Sequence, residues 1–218
     1  MSERVEKSNS EKASGLTERK DIFYWLTNSN GPDGNPGYSM PELYLEARTL
    51  VTAGSDTSAI TLAAAFFYLC RNLNVLAKLQ KELRSTFATF DEIRAGPKMN
   101  SCTYLRAVID ETLRITPPVP SSIPREVQAG GITINNQYFP KGVILGTSAY
   151  CLHHNVENFP DASTYRPERW IVTEEAGVTA EDVVAARMAF VPFSLGSRGR
   201  MLRFRWHWRA CFGDLMLD

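Results

Sequence analysis

Residues 101–118 read SCTYLRAVIDETLRITPP, and the organisation of the 218-residue chain is best inferred outward from them. Helical spacing of apolar residues predicts an amphipathic helix over Ser101–Ile115, with an apolar face at Leu105, Ile109 and Leu113. Two prolines follow and end the helix, because proline cannot continue the hydrogen-bond ladder. Glu111 and Arg114 lie three residues apart and therefore share a face. Taken alone, this pattern predicts an exposed ion pair.

A long helix is predicted upstream. Ser39 and Glu42 form a capping-box pattern with proline in the first turn, and helical spacing continues to about Cys70. The middle of this stretch, GSDTS at residues 54–58, consists of weak helix formers. Either one helix ends here and a second begins, capped by the first serine or the aspartate, or a single helix is kinked and opened to hold a ligand.

Elsewhere, the sequence predicts helices before residue 120 and short strands after it. Two further helices are predicted, Lys20–Asn28 and one capped by Asn74 that carries Val75, Leu76, Leu79, Leu83 and Phe87. Three strand-like pieces follow, Gly131–Ile134, Gln137–Phe139 and Gly142–Leu145. Then come an irregular segment over His153–Trp170, a short helix within Glu174–Arg187 and a loop over Phe190–Arg198. The predicted fold class is mainly α with a small β region.

Composition excludes several classes of protein. Lys plus Arg and Asp plus Glu are equal at 24 each, so no net charge marks a nucleic-acid or anionic-membrane partner. The longest apolar run, Ala59–Cys70, is shorter than the roughly 20 residues of a membrane helix, and no membrane span is expected. The four cysteines are Cys70, Cys102, Cys151 and Cys211. Their wide spacing argues against a zinc site and against a disulfide framework.

Four short motifs follow one another along the chain. They are Ala53–Thr57 (AGSDT), Glu111–Arg114 (ETLR), Tyr165–Trp170 (YRPERW) and Phe193–Gly199 (FSLGSRG). Through them, the chain resembles the C-terminal part of a haem-thiolate monooxygenase of the cytochrome P-450 family. It is most similar to fungal benzoate-hydroxylating and mycotoxin-pathway members. The resemblance implies a partial cytochrome P-450 fold, with a central long helix, the E-x-x-R helix, a hairpin sheet and a meander, truncated at both ends.

The resemblance also implies catalytic roles in the central helix. Gly54 would open this helix over haem b. Thr57 would hydrogen-bond the bound dioxygen, and Asp56 would help to deliver protons to it, as O–O cleavage in a dry site requires.

Two further sets of residues are implied by the same resemblance. Glu111, Arg114 and Arg169 would form one buried ion triad with a structural role. The residues that would bind the cofactor are Arg125, Phe193, Gly196 and Arg198. Of these, Arg198 and Arg125 would pair with the haem propionates.

The resemblance fails at the axial ligand of the haem iron. The family has cysteine where this chain has Arg200, and a guanidinium cannot ligate iron. Cys211 begins a C-x-G sequence eleven residues later and is the alternative iron ligand. The segment 200–218 interleaves arginines with aromatic residues, which favours an unspliced intron or a frameshift near Gly199.

The expected organisation is a disordered start over residues 1–20, a partial cytochrome P-450 domain over 21–199 and an atypical tail over 200–218. Three functions stay open: a monooxygenase, a non-catalytic relic or mispredicted product that binds no haem, and an interaction module that pairs with a full-length relative. For the monooxygenase, the family implies an NADPH-dependent reductase and a small lipophilic substrate as partners. Family members sit on the endoplasmic reticulum through an anchor that is not expected in this chain.

Overall fold

The computed structural model describes residues 22–31 and 33–195. It divides the chain into two compact units, residues 1–57 and 58–218. The described residues are mostly helical with two small antiparallel sheets, which confirms the predicted fold class. The expected disordered start and atypical tail lie outside the described residues.

The first unit holds a short helix, α1 (Ile22–Thr27), and the beginning of a long one, α2 (Met40–Arg71). Glu42 Oε2 accepts hydrogen bonds from the backbone N–H and the hydroxyl of Ser39, each at 2.7 Å. These bonds hold the pKa of Glu42 below its usual value. A carboxylate in the first turn also interacts favourably with the helix dipole. The predicted start of the long helix is therefore confirmed.

The weak helix formers at residues 54–58 lie inside α2. The alternative of two separate helices is therefore wrong. The Thr57 hydroxyl donates to the carbonyl of Ala53, one turn back, at 2.7 Å, so it bonds within the helix that contains it. Differences in helix propensity of about 1 kcal/mol or less per residue are too small to end a helix that is favoured on both sides.

Helix α2 bears on the expectation that the chain has no membrane span. By length and composition alone, this 32-residue helix is long and apolar enough to cross a membrane. The uninterrupted apolar run Ala59–Cys70 is shorter than this helix, because small polar residues precede it in the same helix. The same test is passed by core helices of soluble proteins, so the finding is one of length and composition only.

The core of the second unit packs around helices α3 (Leu73–Thr86) and α5 (Thr103–Ile115), which are separated by a short helix, α4 (Pro97–Asn100). We call its buried residues the first core cluster: Ala65, Leu69, Val75, Leu79, Leu83, Phe87, Ile93, Cys102, Leu105, Val108, Ile109, Leu113, Ile115 and Tyr165. The apolar faces predicted for α3 and α5 lie in this cluster. The cap predicted at Asn74 is wrong, because Asn72 holds that position and donates to the carbonyl of Tyr68 at 2.8 Å.

The start of α5 is capped by a side chain from α3. Glu82 accepts the backbone N–H groups of Tyr104 and Leu105, both at 2.8 Å. Cys102, at the N-cap position, makes no capping bond with its own side chain. The first N–H groups of a helix have no partner within it, so Glu82 supplies what the local sequence lacks. No pattern within either helix announces this contact.

Replacing Glu82 with alanine is expected to lower the free energy of unfolding by about 1–2 kcal/mol, because two N–H groups lose their acceptor. Glutamine at this position keeps one acceptor oxygen and should cost less. Urea unfolding followed by circular dichroism measures both. The control is Lys81→Ala on the exposed side of the same helix, and equal losses from Glu82→Ala and Lys81→Ala would contradict the capping role.

The strands form two ladders of two strands each. β2 (Ile132–Ile134) and β3 (Gln137–Phe139) make the predicted hairpin, while β1 (Arg125–Glu126) pairs with β4 (Ile144–Leu145). The hairpin turn places Asn135 and Asn136 at φ 47° and 63°, a backbone conformation that asparagine tolerates. Strand β1 was not predicted, since two residues are too few to show an alternating pattern.

The last part of the second unit winds around a second core cluster. Its buried residues are Ala107, Phe159, Ala162, Trp170 and Ala186. Helix α6 (Ala149–His154) precedes the irregular segment, which ends in a 3-10 turn over Pro167–Trp170. Helix α7 (Ala180–Ala189) starts within the predicted range 174–187, at a capping box between Thr179 and Asp182, and ends two residues beyond that range. The irregular segment thus lies between α5 and the loop that follows α7.

Candidate functional site

A buried carboxylate organises the second unit. Glu111 and Arg114 of α5 both have fully buried side chains. Arg114 Nε and Nη2 donate to the two Glu111 oxygens, each at 2.9 Å, which is the bidentate geometry of a strong charge-assisted pair. The exposed ion pair predicted from the pattern is therefore wrong, because chain distant in sequence covers this face of α5.

The irregular segment brings three more donors to the same carboxylate. Arg169 Nε and the backbone N–H of Arg166 both donate to Glu111 Oε1 at 3.0 Å. Trp170 Nε1 donates to Glu111 Oε2, also at 3.0 Å. The structure thus brings Glu111, Arg114 and Arg169 together in one buried network. Each oxygen of the carboxylate is fully engaged, so its desolvation is compensated by short, directed bonds.

Main-chain carbonyls accept further hydrogen bonds from the two guanidinium groups. Arg114 Nη1 donates to the carbonyl of His153 at 2.8 Å, and Nη2 to that of Thr164 at 3.3 Å. Arg169 donates to the carbonyls of Pro160, Asp161 and Thr164 at 3.1–3.4 Å. Burial lowers the pKa of Arg169, and the neighbouring Glu111 opposes this shift. One carboxylate and these carbonyls together surround two buried cations.

A second polar contact fixes the outer side of the 3-10 turn. Glu168 Oε1 accepts from Lys78 Nζ at 2.9 Å and from the Tyr104 hydroxyl at 2.8 Å. Burial raises the pKa of Glu168, but these two bonds outweigh it and leave the pKa below its usual value. Burial also raises the pKa of Tyr104, which keeps its proton and donates. Sequence reasoning missed this contact, which joins three separate elements.

A mainly apolar cleft of about 810 Å³ lies beside the strands. It is lined by residues of the segment 119–134, by 145–152 and by the loop after α7, where Val191, Pro192, Ser194 and Leu195 contribute. Arg125 is exposed in this lining and donates to the carbonyl of Pro124 at 3.0 Å. Phe193 instead packs against the first core cluster. The cleft therefore combines apolar walls with a guanidinium.

The other predicted site residues belong to the first unit or lie outside the described residues. Gly54, Asp56 and Thr57 belong to α2 in the first unit, where the Ser55 hydroxyl donates to Asp56 Oδ1 at 3.2 Å. Gly196, Arg198, Arg200 and Cys211 lie outside the described residues. Their proposed contacts to a cofactor stay predictions.

The described residues also contain a buried histidine that sequence reasoning missed. His153 is fully buried at the end of α6, and its Nε2 accepts the backbone N–H of Val191 at 3.0 Å. Burial lowers the pKa of this imidazole to about 4. The sequence shows only two adjacent histidines in an irregular stretch, which gave no reason to single out the first.

Comparison with known proteins gives matches of a single kind. The family model described as Cytochrome P450 matches residues 1–199. The cytochrome P450 monooxygenase apf8 of Gibberella fujikuroi is 46% identical over 178 residues, which cover 82% of this chain and 48% of that protein. The monooxygenase poxM of Penicillium oxalicum is 41% identical over 198 residues, covering 91% and 36%. The monooxygenase atnE of Emericella nidulans is 41% identical over 180 residues, covering 83% and 35%.

Among solved structures, retinoic acid-bound cyanobacterial CYP120A1 superposes with a TM-score of 0.67 at 22% sequence identity. The match covers 91% of this chain and 45% of the solved one, and it concerns the fold alone. The chain spans 35–48% of the length of the three curated relatives. Its match therefore extends over nearly its whole length but over less than half of theirs.

Proposed function

This chain belongs to the cytochrome P450 family, and from that premise we propose that it supplies the haem-side framework of a fungal monooxygenase of secondary metabolism. The observation that carries the proposal is the buried triad of Glu111, Arg114 and Arg169, in the same unit as an apolar cleft that contains Arg125. The fungal origin of the curated relatives supports the class of pathway.

The family uses haem b, and the cleft fits part of that group. Its apolar walls suit the porphyrin face, and a guanidinium such as Arg125 suits a propionate. When bound, haem b supplies the oxygen chemistry of the family. Asp56 and Thr57, a carboxyl and a hydroxyl one position apart, are the groups that we propose hold and pass protons. A small lipophilic or aromatic substrate and an NADPH-dependent reductase complete the proposed enzyme.

The axial position does not fit haem-thiolate chemistry. Position 200 carries arginine, whose guanidinium has no lone pair for iron. The thiolate ligand is what favours O–O cleavage in these enzymes. None of the described cysteines lines the cleft, and no cluster of metal-binding side chains occurs in the described ranges. We therefore propose that the chain with this sequence does not catalyse oxygen insertion.

A second possibility is that residues 200–218 result from an error in the gene sequence or its translation and that the natural protein differs there. The family match extends to residue 199 and the arginine stands at the next position. This coincidence favours an unspliced intron or a frameshift near Gly199, in which case the natural protein has the ligand. Sequencing the transcript across this point tests it, and a message that encodes residues 200–218 as written would contradict it.

A carbon monoxide spectrum of the reduced, haem-supplied chain tests the proposed function. We expect no red-shifted Soret band of thiolate-ligated iron, because Arg200 replaces the ligand. The matched variant Arg200→Cys is expected to gain that band. Cys211→Ser is the control for the alternative ligand. A band in the unaltered chain that disappears in Cys211→Ser would show that Cys211 binds iron and would contradict the proposal.

A further inference from the structure

We propose that His153 is a positioning residue that ties the loop after α7 to the buried ion triad, through an imidazole acceptor that protonation abolishes. The tie has two ends on the same residue. The carbonyl of His153 accepts Arg114 Nη1 at 2.8 Å, while its ring nitrogen Nε2 accepts the N–H of Val191 at 3.0 Å. One residue therefore joins α5, α6 and the loop at 190–195.

The surroundings of the ring fix its position. The side chain is fully buried, with the rings of Phe159 and Phe190 at centroid distances of 6.1 and 5.4 Å. Phe190 also packs on Trp170, which donates to the triad carboxylate. The aromatic packing thus holds Nε2 in front of the loop backbone.

The hydrogen bond to Val191 determines the protonation state of the ring. Because Nε2 accepts, the single proton of the neutral imidazole must be on Nδ1. Nδ1 is buried and has no hydrogen-bond partner. A second proton would convert Nε2 into a donor aimed at another N–H group. Protonation would therefore break the bond to Val191 and place a new charge beside the triad.

The charged groups around His153 act in both directions. The backbone of Arg114 in α5 and the charge of Glu111 favour the imidazolium, whereas the charges of Arg114 and of His154 in α6 disfavour it. Arg169, on the 3-10 turn, is paired with the same Glu111. The loop at 190–195, FVPFSL, has no titratable side chain. Burial is the largest effect and lowers the pKa of His153 to about 4. The hydrogen bond from Val191 to the ring is therefore formed at neutral pH and breaks in acid.

The importance of this tie for function follows from where the loop leads. Val191 lies two residues before Phe193, the first residue of the motif FSLGSRG. The role toward a haem-binding loop rests on the proposed function. The coupling itself concerns residues 114, 153 and 191, and it can be measured without haem.

Hydrogen exchange of the Val191 amide tests the proposal on the full chain without haem. After correction for intrinsic exchange, its protection is expected to be almost completely lost between pH 6 and pH 3, because one pH unit below the pKa only about one ring in ten still accepts. Amides of α5 serve as the internal control and should keep their protection. His153→Gln retains an acceptor that does not titrate, so Val191 should stay protected at both pH values. His153→Phe removes the acceptor, so Val191 should exchange fast at both.

Two results would overturn the proposal. One is protection of Val191 that does not change with pH in the unaltered chain. The other is an equal loss of Val191 protection in His153→Gln. The same holds if the α5 amides lose protection together with Val191 in both proteins, because acid would then act through groups other than His153. A failure of the haem experiment leaves these readouts unaffected, so the two proposals are tested separately.

Discussion

Replacing Glu111 with glutamine is expected to lower the free energy of unfolding by about 3–5 kcal/mol, the cost of removing one partner from a buried ion network. The substitution keeps the size of the side chain but leaves Arg114 and Arg169 without a counter-charge in a site sealed from water. The new amide NH₂ would also face arginine and tryptophan N–H groups that donate. Urea unfolding of the purified chain, followed by circular dichroism, measures the loss.

The matched control is the same substitution at an exposed position of the same unit. Glu175 has a side chain that is 84% exposed and lies 3.9 Å from Lys78. Glu175→Gln is expected to change the free energy of unfolding by no more than about 0.5 kcal/mol. A loss at Glu111 as small as the loss at Glu175 would mean that the network does not stabilise the fold.

Truncating Leu79 to alanine is expected to cost about 2–5 kcal/mol, from lost burial and the cavity left behind. Leu79 lies in the first core cluster and has no solvent exposure. It lies in the middle of α3 and shares this cluster with apolar residues of α5, the helix that carries Glu111 and Arg114, so the cavity would open in the core that supports this helix. Thermal and urea unfolding of the variant give the size of the effect.

Helix α3 contains its own control for this substitution. Leu73, at the start of the helix, is 69% exposed, and Leu73→Ala should alter stability by no more than about 0.5 kcal/mol. Similar losses for the two leucines would contradict the described packing. A loss well below 2 kcal/mol at Leu79 would show that the core closes around the missing atoms.

Helices with a regular apolar period could be predicted from the sequence because the period reflects one buried face. Helix α5 illustrates both the success and the limit. Its bounds were predicted within two residues, but its spacing alone predicted an exposed pair at Glu111 and Arg114, and only the family resemblance implied a buried triad. Spacing along a helix shows which residues share a face. It cannot show that Arg169 and Trp170, far along the chain, cover that face.

The same reason explains the other residues that were missed. Glu82 caps a helix that begins some twenty residues later, and His153 binds a loop 38 residues away. Each is a single polar residue whose role depends on a tertiary contact. At residues 54–58 the weak helix formers left two separate helices and one opened helix as alternatives, because local propensity alone does not decide between them; the structure has a single helix.

The carbonyls around the two buried arginines have a consequence for how this chain can vary. Pro160, Asp161 and Thr164 serve Arg114 and Arg169 through the backbone, so their side chains contribute nothing to those bonds. Exchanging one amino acid for another at Pro160 or Thr164 leaves the acceptor in place, whereas inserting or deleting a residue moves it out of reach. Asp161 is restricted further by its left-handed backbone, with φ at 54°, which favours aspartate, asparagine or glycine. The number of residues in this stretch is therefore more constrained than the side chains at 160 and 164.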